Sequence, residues 1–188
     1  MKMPIPLHRA LLIGVTWFAV HAAGAQPLGG SIYQLDSIWR DKNDQPVKLS
    51  DLAGKVRVLA MGYTSCQYAC PRIMADMRAI QRALPKEKLG SVEFTFISFD
   101  PKRDTPKHLR EFQSKNDLNA WTFLTGDDDG VLELAVALGI KFQKISDTDF
   151  AHSNVIVVLG ADGKILHRQV NLGEAPDTTV KTVIKALR

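Results

Sequence analysis

Cysteine is nearly absent from this 188-residue chain: Cys66 and Cys70 are the only two. Neither lies near the small residues at 22–25, which argues against a lipid-anchored N-terminus. Basic clusters are missing too. Lys and Arg number 24 against 20 acids, a net charge of +4, and they are scattered. That balance excludes the electrostatic footprint of a nucleic-acid binder. There is no internal repeat, no low-complexity linker, no P-loop, no dinucleotide fingerprint and no Ser-His-Asp set. "GDDDG" at 126–130 lacks the D-x-D-x-D-G spacing and distal Glu of a calcium loop.

Long apolar runs are also absent. The longest, "ALLIGVTWFAV" at 10–20, has 11 residues, short of the roughly 20 that span a bilayer as a helix. Lys2 and Arg9 precede it, and Ala23-Gly24-Ala25 follows as an A-x-A cleavage pattern. Residues 1–25 therefore read as a secretory signal peptide, with an uncleaved anchor as the alternative. Residues 26–34 read as a flexible tail, and 35–188 as one domain large enough to bury a real core. Loss of Lys2 and Arg9 with the leader would leave 22 basic residues against 20 acids, a charge of +2. Export places the chain in the periplasm, where disulfides are the default state of paired thiols.

What is present is an alternation of strands and helices. "SIYQLDSIWRD" and "PVKLSDL" suit an edge hairpin, with Ile32, Gln34 and Ile38 alternating imperfectly. "VRVLAMGY" (56–63) is a compact buried strand. After Cys70, Pro71 suits a first helical turn, and Ile73, Met74, Met77, Ile80 and Leu84 recur at helical spacing. Further strands fall at "VEFTFISFD", "WTFLTG" and "IKFQKI". Thr105-Pro106 opens one helix, and "DDDGVLELAVALG" forms another, with acids at its start and Gly139 after its end. "NVIVVLGADGKILHRQV" is a hairpin turning at Asp162-Gly163, and "DTTVKTVIKALR" closes the chain as a helix. The class is α/β, a mixed central sheet flanked by helices with an N-terminal β-hairpin extension. A cysteine pair between a strand and a helix N-terminus fits the thioredoxin architecture, where the helix terminus favours thiolate.

Cys66 and Cys70 stand at i and i+4, so on a helical turn they share a face. A disulfide closing so short a loop stabilises little, which favours chemistry over architecture. Soft thiolates select Cu(I), and two sulfurs need a third ligand. Beyond the leader the histidines are His108, His152 and His167. His108 sits in a polar helical turn and reads as solvated, and His167 as solvent-facing. His152, just before an apolar strand, is the candidate, with a strand-capping surface histidine as the competing reading. Met61, Met74 and Met77 read as core, with Met61 a candidate to line the site. Tyr63 and Tyr68 read as packing that limits solvent access. "DPKRDTP" (100–106) reads mainly as a structural loop in which Asp104 or Thr105 caps a helix, and Arg103 as its contact to an acidic partner.

"LAMGYTSCQYACP", "SFDPKRDTP", "LTG" and "FAHSNVIVVLGADGKILH" together resemble the SCO (SenC-like) family of exported thioredoxin-fold proteins, over residues 35–188. The resemblance implies that Cys66, Cys70 and His152 bind copper as Cu(I) or Cu(II). The partners it implies are the copper-bearing subunit of a cytochrome oxidase, a thiol reductant and another copper chaperone. The role is then a metallochaperone, not an enzyme; the alternative is a thiol–disulfide oxidoreductase that uses the Cys66–Cys70 pair as a redox disulfide to keep the oxidase cysteines reduced. A peroxidase-like or redox-sensing role has the least support. Gln67 departs from the proline common after the first cysteine, and Ala151 from an acid common before the histidine. A Cu(II) form would then take a further oxygen ligand from Asp149, another carboxylate or water.

Overall fold

A computed structural model describes residues 30–66, 69–146 and 149–188. The leader, residues 26–29 of the expected tail, and Tyr68 lie outside the described residues. Nine strands and four α-helices are described among them: β1 (Ile38–Asp41), β2 (Pro46–Lys48), β3 (Val56–Gly62), α1 (Ala69–Ala83), β4 (Val92–Ser98), α2 (Pro106–Lys115), β5 (Thr122–Thr125), α3 (Asp128–Leu138), β6 (Phe142–Lys144), β7 (Phe150–His152), β8 (Ile156–Leu159), β9 (Ile165–Gln169) and α4 (Asp177–Ala186).

Seven strands form one mixed sheet in the order β2-β1-β5-β4-β3-β8-β9. β3, β4 and β5 run parallel at its centre, and β8, β9, β1 and β2 are added antiparallel. The central strand β3 is buried along all seven residues, as a strand covered on both faces must be. Its side chains alternate between two cores. Val58 and Ala60 meet Ile73, Met77 and Ile80 of α1, Leu109 of α2 and Val183 of α4 on one face. Leu59 and Met61 meet Leu134 and Leu138 of α3, Trp39 and Leu49 on the other. The helix signals read from sequence hold. Thr105 caps α2 by accepting from the His108 N–H at 3.3 Å, Asp127 caps α3 by accepting from Gly130 at 2.7 Å, and Gly139 ends α3 in the left-handed region.

Three expectations change. The domain begins earlier than residue 35: Ile32–Gln34 form a turn of 3-10 helix, Ile32 is buried, and its N–H donates to the Gly163 carbonyl at 3.1 Å. In β1 the inward residue is Trp39, while Ile38 faces out; the larger ring wins the core position because it buries more apolar surface. "IKFQKI" supplies a strand that does not join the main sheet. β6 pairs antiparallel with β7 as a separate hairpin, with Phe142 opposite His152. His152 thus lies in a short strand, not in the loop before β8.

The parallel strands end where β3 runs into the cysteines, the usual ligand end of an open α/β sheet. Gly62 closes β3, and its lack of a side chain is what admits α1 there. A Cβ at this position would stand 2.8 Å from the Cys70 sulfur and 2.9 Å from the Phe96 ring. Gly62→Ala should therefore destabilise the domain by about 1–3 kcal/mol through overpacking, read by thermal unfolding. Gly90→Ala, where a Cβ meets nothing within 4 Å, should leave the melting temperature unmoved; equal behaviour of the two variants would refute the packing argument.

Candidate metal centre

After β3 the chain turns tightly, with the Cys66 N–H donating to the Tyr63 carbonyl at 3.3 Å. α1 is described from Ala69, so Cys70 and Pro71 both lie in its first turn, where the missing proline N–H removes a donor that has no partner within the helix. The Cys70 N–H faces the Cys66 sulfur at 3.5 Å, so that sulfur satisfies an amide left over by the helix N-terminus. The Tyr63 N–H faces the Cys70 sulfur at 3.4 Å. No disulfide joins the two sulfurs.

The two thiols differ in depth. Cys66 is half-buried, and Cys70 is 1% exposed. Burial pushes the Cys70 thiol well above its ordinary range, and the Tyr63 amide offsets this only in part. The expectation that the helix N-terminus readies both thiols is thus corrected for Cys70: removal from water outweighs the helix end.

His152 comes from β7. Its ring stands edge-on to Phe99, with centroids 5.0 Å apart, and to Tyr63 at 6.1 Å. Burial lowers its pKa below the ordinary value, opposed by a hydrogen bond to the Ser153 carbonyl and by the Asp149 charge. The imidazole is held neutral, the form that binds metals. One sulfur from each cysteine and one ring nitrogen of His152 lie within 4.8 Å of one another, a group of side chains that could hold a metal ion. Two thiols and an imidazole suit soft or borderline metals such as Cu(I) and are poor partners for magnesium or calcium.

The other residues singled out from the sequence fall as follows. Met61 is buried in the core that also contains Cys70 and Tyr63; at 1% exposure it offers no partner contact. Arg103 pairs with Asp100 and lies over the Tyr63 ring, 5.4 Å from its centroid, so its charge is engaged within the domain. Asp149 accepts from the Tyr63 hydroxyl and, at 2.9 Å, from the Phe150 N–H. These bonds, the Tyr63 one foremost, hold its carboxyl below the usual range. It stands outside the group formed by Cys66, Cys70 and His152. His167 is half-buried on β9, away from that group.

Two residues carry more than the sequence reading gave them. Asp104 is fully buried and caps no helix. It accepts from the Thr64 N–H at 3.0 Å, from the Thr64 hydroxyl and from the Ser98 hydroxyl at 2.6 Å. His108, read as solvated, places Nε2 at 2.9 Å from the Thr64 hydroxyl. "DPKRDTP" is therefore the brace of the cysteine turn. An acid between two basic or polar neighbours gives no sequence sign of burial; Thr64, two residues before Cys66, was the available hint. Two cavities flank the site. One of about 270 Å³ is lined by Cys66, Cys70, Met74, Arg78 and Phe112. The other, about 310 Å³, is lined by Phe99, Arg103, Leu132, Phe142 and Phe150.

Comparison with known proteins places this geometry. The SCO1/SenC family model matches residues 30–188. A Stutzerimonas stutzeri protein whose proposed role is copper binding is 32% identical over 143 residues, 74% of this chain and 69% of its own. The structure of Arabidopsis thaliana ScoI with copper bound superposes with a TM-score of 0.71 at 25% identity, covering 81% of this chain and 96% of that one. BsSco, described with a disulfide switch and as a member of the Sco family of cytochrome c oxidase assembly proteins, superposes with a TM-score of 0.71 at 26% identity, covering 86% and 95%. With a thioredoxin-like sheet, two cysteines at the end of its central strand and a histidine brought to them by a separate hairpin, the chain belongs to the SCO1/SenC family.

Proposed function

We propose that this protein is an exported copper metallochaperone, in which the Cys66 and Cys70 thiolates and the His152 imidazole hold one copper ion for a copper-bearing subunit of a respiratory cytochrome oxidase. The observation that carries this reading is the convergence of two sulfurs and a ring nitrogen within 4.8 Å. The copper-bound ScoI structure supports the choice of metal, and the description of BsSco supports the target. The leader pattern supports a periplasmic location, and no helix among the described residues is long and apolar enough to cross a membrane.

The residues divide the work by depth. Cys70 sits in the core, and its thiol gives up a proton readily only when a cation compensates the buried charge. Cys66 is the half-exposed sulfur that a partner's ligand can reach beside the 270 Å³ cavity. His152 is neutral and rides on a small hairpin outside the main sheet, so it is the ligand that can withdraw without disturbing the fold. A closed disulfide and a bound copper exclude each other, because ligation uses both sulfurs. Loading in an oxidising compartment therefore calls for a thiol reductant, and another copper chaperone is a fitting source of the ion.

A second reading is a thiol–disulfide oxidoreductase that keeps the target's cysteines reduced. The pairing of one half-exposed with one buried thiol favours it, as does the disulfide switch of BsSco. His152 separates the two readings, since dithiol exchange has no evident use for it.

The reduced domain should bind one Cu(I), and the oxidised domain none. His152→Ala should weaken Cu(I) binding at least tenfold, a loss of about 1.4 kcal/mol or more. Cys66→Ser or Cys70→Ser should weaken it further. Competition against a chromogenic Cu(I) chelator measures all three, and unchanged affinity in His152→Ala would sink the three-ligand model.

Iodoacetamide added to the reduced, metal-free protein should modify Cys66 well before Cys70, as peptide mapping by mass spectrometry reads, because thiolate character and access set the rate. In the same protein the His152 ring signals should titrate with a midpoint below the ordinary value of about 6.5, since burial disfavours the imidazolium; a midpoint at or above that value would contradict the burial argument.

A further inference from the structure

The β6–β7 hairpin that carries His152 is two strands of three residues each, apart from the main sheet. A two-stranded hairpin of that size does not hold itself in place. Its position is set by what it leans on. Phe142 stacks on Phe99 with centroids 5.3 Å apart, and Phe150 packs against Phe99 at 5.3 Å and against Tyr63 at 5.2 Å. These contacts hold the hairpin against the domain, but aromatic packing tolerates sliding and rotation, so it fixes the ring of His152 only loosely. A directional bond is added by Asp149, which immediately precedes β7 and accepts a hydrogen bond from the Tyr63 hydroxyl.

Tyr63 sits at the junction of the two halves of the site. Its main-chain N–H faces the Cys70 sulfur at 3.4 Å, and its side chain reaches the hairpin. The ring is 2% exposed, so phenylalanine would fill the same space; the hydroxyl is the part that packing does not explain, and a buried tyrosine hydroxyl needs a partner. Asp149 supplies it with Oδ1, the same oxygen that accepts the Phe150 N–H. The carboxylate is therefore fastened to the first residue of β7, and β7 ends at His152. From the Cys70 sulfur the connection runs through the Tyr63 N–H, the Tyr63 side chain, its hydrogen bond to Asp149 and the three residues of β7 to the imidazole.

The geometry points to Tyr63 and Asp149 as a positioning pair: by donating to Asp149, the Tyr63 hydroxyl holds the β6–β7 hairpin so that His152 stands within reach of both cysteine sulfurs before any metal arrives. Neither residue belongs to the group of Cys66, Cys70 and His152 that could hold the ion. Their effect is on the fraction of metal-free protein already competent to bind, which scales the apparent affinity directly. The inference rests on the reading of His152 as a ligand.

Tyr63→Phe should weaken apparent Cu(I) affinity about tenfold, the loss expected for one hydrogen bond to a charged acceptor. Asp149→Ala should do the same, the double variant should be no worse than either single one, and Asp149→Asn, which keeps an acceptor, should recover most of the loss. In a His152→Ala background Tyr63→Phe should change affinity by less than about twofold. No change in the His152 protein overturns the inference, and so does an equal loss in both backgrounds, since the hydroxyl would then act through the fold or the thiols. A second measurement uses the metal-free protein: amide hydrogen exchange at Phe142–Lys144 and Phe150–His152 should quicken about tenfold in Tyr63→Phe while the main sheet is unchanged, and unaltered hairpin exchange overturns the inference. If His152→Ala binds copper as the parent does, the three-ligand reading fails, and the exchange measurement alone decides whether the pair anchors the hairpin.

Discussion

The approach of the first turn of α1 to the end of β3 is the contact on which the site depends. At Gly62 the main chain lies so close to the Cys70 sulfur that there is no room for a methyl group. That closeness buries Cys70, brings the Tyr63 amide to its sulfur and leaves Cys66 on the turn outside. The two thiols of one short motif thereby acquire different surroundings. A wider approach would give two similar, solvated thiols with no preferred role. The buried brace at Asp104 fixes the same turn from the other side, through Thr64 and Ser98. Thr64, at the start of the cysteine turn, is therefore tied to the end of β4 and to the adjacent loop.

Against this fixed half stands a half built differently. The β6–β7 hairpin has no ladder to the main sheet, and aromatic faces around Phe99 together with the Tyr63–Asp149 hydrogen bond hold it. On the proposed reading, two ligands on the main scaffold and one on a lightly held element would suit a cargo site: the cysteine pair would retain the ion when the third ligand left, and release would proceed by exchange of one ligand at a time, without bare metal. A resident cofactor site has the opposite requirement, with all its ligands on the scaffold.

Much of this was legible in the sequence. The strand, cysteine and helix order followed from an apolar β-branched run, a proline and a 3.6-residue period, and Thr105, Asp127 and Gly139 announced helix ends through local chemistry that needs no tertiary context. Cys66 and Cys70 stood out because few residue types bind soft metals and the chain has few of them, whereas His152 was one candidate reading among two until the resemblance to the SCO family singled it out. What was not legible depends on contacts distant in sequence. Asp104 stood beside Thr105 as an alternative helix cap because capping is local, whereas its bonds to Thr64 span forty residues. Trp39 and Ile38 are both apolar neighbours, and only the packed core decides which points inward. "IKFQKI" has the pattern of a sheet strand, yet period alone does not say which sheet a strand joins. Residues 31–34 look like a tail because their partner, Gly163, lies at the far end of the chain.

The unequal depth of the two sulfurs also gives an oxidised pair a direction. Were a Cys66–Cys70 bond to form with these depths kept, an incoming thiolate would meet the Cys66 end more readily, and Cys70 would be the sulfur expelled. Its buried surroundings make it a reluctant leaving group, and exchange slows as the leaving thiol's pKa rises. The geometry that would shelter a soft cation in the reduced protein would thus make an oxidised form slow to reopen, with the rate of return to the dithiol set by how well a reductant relieves the charge left on the buried sulfur.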